Sequence, residues 1–247
     1  MSETAEFTIS DEAFSRSSDI KAGVGNDLLL LDLSAAPLNQ IKMAPSGDGF
    51  SILASIQGQE MSQIISASGV DVLNISLPDK SDDFDDSSFE CVEGVKCIVD
   101  LGQVNKAQGS DSGDLLRGEV GLDVLKGLRG EDELYGGRHA DRLRGGIGKD
   151  LLIGGPGSDF LNGGGGSDVM RGGSGPDTFK LSKGRDVVRG FEVGADIIQA
   201  SGIPELSQQG KHVLLSYAGG TTLLRKTALD DVAEWLIPQA VGLELLA

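Results

Sequence analysis

From Leu116 onward one apolar side chain returns every nine residues, at Leu116, Leu125, Leu134, Leu143, Leu152, Leu161, Met170 and Phe179. Two residues before each stands an aspartate: Asp114, Asp123, Asp132, Asp141, Asp150, Asp159, Asp168 and Asp177. Glycine crowds the positions before that. The clearest units read GGIGKDLLI (145–153), GGPGSDFLN (154–162), GGGGSDVMR (163–171) and GGSGPDTFK (172–180). Such a unit combines a tight glycine turn with a short strand that sends one side chain inward. It is too small to bury that side chain alone, so the unbroken period from Gly109 to Lys180 predicts a solenoid of stacked coils, two units to a coil. A glycine- and aspartate-rich linker has no reason to keep such a phase.

The run resembles the calcium-binding nonapeptide repeats, GGxGxDxUx, of the repeats-in-toxin (RTX, hemolysin-type) family. The resemblance implies an all-β chain built on a right-handed parallel β-roll, with calcium as cofactor held between neighbouring coils. Its implied ligands are the eight aspartates and turn carbonyls, among them Gly145, Gly148, Gly154, Gly157, Gly163, Gly166, Gly172 and Gly175. Alternate repeats then share a file. One file is Asp114, Asp132, Asp150 and Asp168, continuing towards Asp186, and the other is Asp123, Asp141, Asp159 and Asp177.

Charge arithmetic points the same way. Strands about 4.8 Å apart bring like-charged carboxylates close, at roughly 1 kcal/mol per adjacent pair in water and about 3 to 4 at an effective dielectric of 20. A hard cation with oxygen ligands and flexible geometry relieves that repulsion, and calcium suits carbonyl-rich turns better than magnesium does. The turns are not equal: the second position is Ser110, Glu119 and Leu128 early but glycine from Gly137 onward, and His139 replaces a fourth-position glycine. These substitutions strain the turn, so the tightest binding is expected from Asp141 to Asp177, and His139 reads as a turn substitution rather than a transition-metal ligand.

With 38 acidic against 21 basic residues the net charge is −17, which excludes nucleic acid as a natural partner. MSETAEFTISDEAF lacks the basic and apolar regions of a cleaved leader, and no segment is long enough to span a membrane. The family resemblance implies instead export through the type I secretion machinery, using a C-terminal signal, to a secreted, extracellular location with possible cell-surface association.

The expected organisation is a flexible N-terminus (1–20), a degenerate β-solenoid or small β domain (21–108), the calcium-binding β-roll (109–189), and a C-terminal cap with the secretion signal (190–247). AGVGNDLLL (22–30) and SGVDVLNIS (68–76) read as degenerate repeats, and KSDDFDDSS (80–88) as an acidic loop. Lys211–Thr227 reads as a hairpin around Ala218, Gly219 and Gly220. Ala228–Ile237 reads as a helix with Leu229, Val232, Trp235 and Leu236 on one side. Cys91 and Cys97 either close a small disulfide loop or remain free thiols.

No zinc helix, nucleophile elbow or phosphate loop occurs, and both histidines follow Asp114, which argues against an enzyme. Basic ninth positions, Arg117, Lys126, Arg144, Arg171 and Lys180, point outward. The function expected is therefore a calcium-binding protein whose ions drive folding outside the cell, in a structural or surface-associated role. The alternatives are a carbohydrate-binding module for an acidic polysaccharide or other cell-surface polymer, and the truncated secretion domain of a toxin or hydrolase.

Overall fold

The computed structural model describes residues 6–9, 18–21, 28–32, 38–46, 49–56, 62–68, 70, 72–76, 88–100, 106–200, 204–228 and 230–232. The nine-residue period folds as a parallel β-solenoid. Each strand of the array pairs with the one two repeats away, so a coil takes 18 residues, as in Leu125↔Leu143↔Leu161↔Phe179. These belong to one wall, made by Val124–Arg129, Arg142–Gly148, Phe160–Gly166 and Thr178–Lys180. The opposite wall holds Leu115–Arg117, Glu133–Tyr135, Leu151–Pro156, Val169–Ser174 and Lys183–Arg189, with Leu116↔Leu134↔Leu152↔Met170↔Val188 in register.

The eighth-position residues are the core. All are at most 1% exposed, and a buried side chain of this size contributes about 1.5–3 kcal/mol. Because parallel in-register stacking places identical positions above one another, one residue type per phase is enough to fill the interior.

The second wall continues towards the N-terminus through Lys96–Asp100, Val72–Ser76, Leu28–Asp32 and Glu6–Ile9. Its spacing loosens there: Glu6 faces Leu28, and Leu28 faces Val72. The extra length holds a separate four-stranded sheet, ordered Ser18–Lys21, Ser62–Ser68, Gly49–Ile56 and Leu38–Ser46. Its Met43, Phe50 and Ile52 nevertheless join the same hydrophobic cluster as Leu73 and Leu116. Residues 1–20, expected as a flexible N-terminus, hold the strand Glu6–Ile9 and most of Ser18–Lys21, each paired in parallel with a later strand. The alternation of polar and apolar residues in EFTI is enough to add an edge strand once a parallel neighbour exists.

Beyond Lys180 the coil continues for another rung before it is capped. Val188 on Lys183–Arg189 stacks on Leu224 of Gly220–Arg225, whose partner across the Ala218–Gly219 turn is His212–Tyr217. This is the hairpin the glycine signal predicted. A third strand, Glu205–Gln209, pairs antiparallel with His212–Tyr217 and carried no sequence signal strong enough to predict it. Val213, Leu215, Leu224 and Val232 close the end of the core. Of the predicted helix only Ala228 and the turn at Asp230–Val232 are described; Leu229, Trp235, Leu236 and the terminal VGLELLA lie outside the described residues, as does the acidic stretch 80–87.

Candidate metal centre

Each turn is shaped by three glycine positions, which act for different reasons. The second position takes positive φ, as at Gly155 (φ 120°), and the unusual residues there pay for it: Glu119 and Leu128 sit at φ 69° and 87°. His139, in the fourth position, sits at φ 83° with an exposed side chain. Ser110 does not adopt positive φ. The first glycine needs space rather than an angle, because a Cβ at Gly145 would overlap Asp150 Oδ2 and come within 2.6 Å of Gly163 O in the next coil. The tight glycine turn thus has two causes, an angle at the second position and space at the first.

The eight predicted aspartates are all buried, and the structure stacks them in the two expected files. In each file the backbone N–H of one aspartate donates to Oδ1 of the aspartate one coil on. The bonds are Asp114 to Asp132 (2.8 Å), Asp132 to Asp150 (3.0 Å) and Asp150 to Asp168 (3.0 Å) in one file. In the other they are Asp123 to Asp141 (2.8 Å), Asp141 to Asp159 (2.8 Å) and Asp159 to Asp177 (3.0 Å). Asp186 and Asp196 extend the files, accepting from Asp168 (3.2 Å) and Asp177 (2.9 Å). Asp196 lies outside the nine-residue period because its turn is one residue longer, so it falls 19 rather than 18 residues after Asp177.

Oδ1 of these aspartates is therefore occupied by protein, except at Asp123, where neither oxygen has a partner among the described residues. Among the described residues, Oδ2 of Asp123, Asp132, Asp141, Asp150, Asp159, Asp168 and Asp177 is buried without a hydrogen-bond partner. A buried carboxylate oxygen without a partner is costly, and seven in regular array form an unanswered charge rather than a packing accident. At three of the four file ends, Asp114, Asp186 and Asp196, the same oxygen is satisfied by protein. Ser110 N and Oγ donate to Asp114 Oδ2 at 2.6 and 3.1 Å, Ser182 Oγ to Asp186 Oδ2 at 2.9 Å, and Glu192 N to Asp196 Oδ2 at 2.8 Å.

Burial is the largest cause raising these carboxyls from the ordinary 3.8. It takes Asp123, Asp132 and Asp168 to about 7, and Asp141, Asp159 and Asp177 to about 6. The neighbouring carboxylate adds to the rise at Asp123, through Asp141, while the donated N–H partly offsets it at Asp132. Asp114, Asp150 and Asp186 are raised by burial as well. The site is thus electrostatically incomplete as an all-protein structure.

The donor set fits calcium. Asp150 Oδ2 and Gly163 O converge on one point beside Gly145, and equivalent oxygen pairs recur beside Gly127 and Gly136. Among the described residues no three His, Cys, Asp or Glu side chains cluster, so a cation here must take carbonyl oxygens along with its carboxylates. That is the preference of a hard divalent ion and not of zinc.

The basic ninth positions lie on two walls. Lys126↔Arg144↔Asn162↔Lys180 run down one, and Arg117↔Tyr135↔Ile153↔Arg171↔Arg189↔Arg225 down the other. Arg144 and Arg171 are thus on opposite walls. The arginines at 171, 189 and 225 are consecutive and exposed.

The RTX calcium-binding nonapeptide repeat (4 copies) matches residues 108–143, 117–152, 135–170, 144–179 and 171–201. No curated protein matches the chain. Among solved structures, that of the extracellular lipase LipA from Serratia marcescens is 18% identical with a TM-score of 0.35, over 86% of this chain and 32% of the lipase. The chain therefore spans about a third of the length of that relative. With the phase, the two carboxylate files and the family match in agreement, the segment 108–201 belongs to the RTX calcium-binding nonapeptide repeat family.

Proposed function

We propose that this is a secreted protein in which several calcium ions, bound between coils, drive folding outside the cell and leave a rigid roll with a structural or surface-associated role. The carrying observation is the run of seven orphaned Oδ2 atoms. Asp123, Asp132, Asp141, Asp150, Asp159, Asp168 and Asp177 are the residues we assign to the ions, with carbonyls of the first and fourth turn positions, Gly145, Gly148, Gly154, Gly157, Gly163, Gly166, Gly172 and Gly175, completing the shells. Bound calcium supplies positive charge that answers the buried carboxylates and ties neighbouring coils together.

Low calcium inside a cell leaves the carboxylate repulsion unanswered, which favours an unfolded chain suited to a type I secretion channel. Outside, calcium near millimolar matches the roughly 10⁻⁴ to 10⁻³ M affinities of extracellular modules. Among the described residues no helix is long and apolar enough to cross a membrane. The role we assign is not enzymatic, since the periodic acids are committed to the cation.

Circular dichroism during a calcium titration, with magnesium as control, tests the reading. Strand signal should rise with calcium and far less with magnesium; β structure complete in chelator and indifferent to calcium would sink it. The consecutive column Arg171, Arg189 and Arg225 on a chain of net charge −17 favours a second reading, attachment to an acidic polysaccharide. Loss of pull-down on a polyuronate in the triple glutamine variant is its test.

A further inference from the structure

The head of the Asp114 file ends on a disulfide, between Cys91 and Cys97. Its two sulfurs come from the two turn positions that the glycine-first coils use to bring a carboxylate oxygen against the chain, the first and the sixth. Glu90 pairs with Gln108, so Cys91 stands in register with Gly109, a first-position glycine. Its N–H donates to Gln108 O at 2.9 Å, as Gly109 N–H donates to Lys126 O and Gly136 N–H to Ile153 O. Ile98 pairs with Leu115, so Cys97 stands in register with Asp114. Its N–H donates to Asp114 Oδ1 at 2.7 Å, as each aspartate N–H does to the next carboxylate.

In the regular coils these two positions meet through space: the sixth-position Oδ2 fills the place a first-position Cβ would take, which is why that position is glycine. In the 91–97 turn the same two positions meet through a covalent bond. The turn is one residue longer, since Cys91 to Cys97 spans six residues where Gly109 to Asp114 spans five, and Gly94 takes φ 82° to make room. The following coil rests on it. Ser110 Oγ donates to Val95 O at 2.9 Å while Ser110 also satisfies Asp114 Oδ2, and Cys97 is fully buried.

We propose that the Cys91–Cys97 disulfide replaces a cation at the head of the Asp114 file, closing covalently the turn that calcium closes elsewhere and templating the first coil without metal. This rests on the calcium reading above. Asp114 then serves as the junction between the covalent closure and the metal array rather than as a full calcium ligand. The device belongs to an oxidising exterior, where the bond persists. Reduction by a dithiol breaks S–S with two electrons and two protons, leaving two thiols on the protein and a disulfide on the reductant; the thiols have no tether to offer.

The test uses the full chain in three forms: oxidised, reduced with a dithiol, and the double variant Cys91→Ser/Cys97→Ser. Each is titrated with calcium and followed by circular dichroism and by hydrogen exchange with mass spectrometry. In the oxidised chain, amides of 96–117 should gain protection at lower calcium than those of 145–180. In the other two forms that lead should vanish and the folding midpoint should rise about twofold, the loop-closure benefit of a seven-residue ring being shared among cooperatively bound ions. Re-oxidation should restore the low midpoint, and the double variant should ignore the reductant. Equal midpoints and an unchanged order of protection in all forms overturn this proposal alone. No response to calcium in any form overturns it together with the calcium reading.

Discussion

Replacing Asp150 by Asn separates a metal ligand from a structural acceptor, because the two roles predict opposite signs in chelator. Asp150 lies between Asp132 and Asp168, and its Oδ1 accepts the Asp132 N–H at 3.0 Å while its Oδ2 has no partner. Asn keeps an oxygen for that N–H and removes the charge. At a strand spacing of about 4.8 Å, losing two carboxylate pairs removes about 2 kcal/mol of repulsion in a water-like dielectric and about 7 at an effective value of 20. The metal-free variant should therefore hold more strand structure in chelator than the parent does. In calcium, a charged ligand becomes neutral, at about 1.5–3 kcal/mol for the affected ion. Taking one cooperatively bound ion for each of the seven orphaned Oδ2 atoms, that shared loss raises the calcium midpoint about 1.4- to 2-fold. Circular dichroism titrations of both chains read the two effects together. Destabilisation of D150N in chelator and calcium alike would refute the reasoning, for then Asp150 is only a buried hydrogen-bond acceptor.

The raised carboxyls give a pH prediction. Because folded values near 6 to 7 exceed the unfolded 3.8, the metal-free coil binds more protons than the open chain. Its stability should be greatest below pH 4 and fall as pH rises to 7, so acidification in chelator should induce strand signal, whereas calcium affinity should weaken on the same acidification. Glu119→Gly should remove the cost of a positive φ at an exposed residue, about 1 kcal/mol, and raise the calcium-loaded melting temperature by roughly 2–4 °C. Gly154→Ala puts a Cβ onto Asp159 Oδ2 and should lower calcium stoichiometry by native mass spectrometry, while Gly165→Ala, whose nearest atom is Gly146 O at 4.0 Å, should leave it unchanged. Leu152→Ala, fully buried in the ladder, should cost about 2–5 kcal/mol in calcium by thermal melting.

The array was legible because its physics is one-dimensional: when residue i always meets i+18, a period in sequence is a column in space. Leu116 to Phe179 and Asp114 to Asp177 fell where the period put them. Legibility failed where coil length changed. Asp196 was hidden by a single extra residue between it and Asp177, and although a small β domain was one expectation for 21–108, the place of its four-stranded sheet was hidden because Leu28 pairs with Val72 across a gap the period does not describe. The register of Cys91 and Cys97 was hidden for the same reason. Glycine meaning was only half visible: composition cannot distinguish Gly155, needed for its angle, from Gly154, needed for the oxygen that occupies its side-chain space.

The two ends of the roll differ from its middle in how they answer charge. At Asp114, Asp186 and Asp196 the free oxygen is met by Ser110, Ser182 and the Glu192 N–H, and the turns beside them pack on Val95 and Tyr217. Between those points none of the described residues meets it. If calcium drives folding of the array as proposed, a solenoid whose stability is a sum over neighbouring units has metal-independent termini, the apolar N-terminal rungs with Leu29, Leu73 and Ile75 and the C-terminal hairpin with Val213, Leu215 and Leu224, flanking a metal-dependent centre. Such a chain should not respond to calcium uniformly. The ends supply edges onto which central coils can add one at a time, each addition creating the oxygen pair that holds the next ion, so folding and binding advance by the same step.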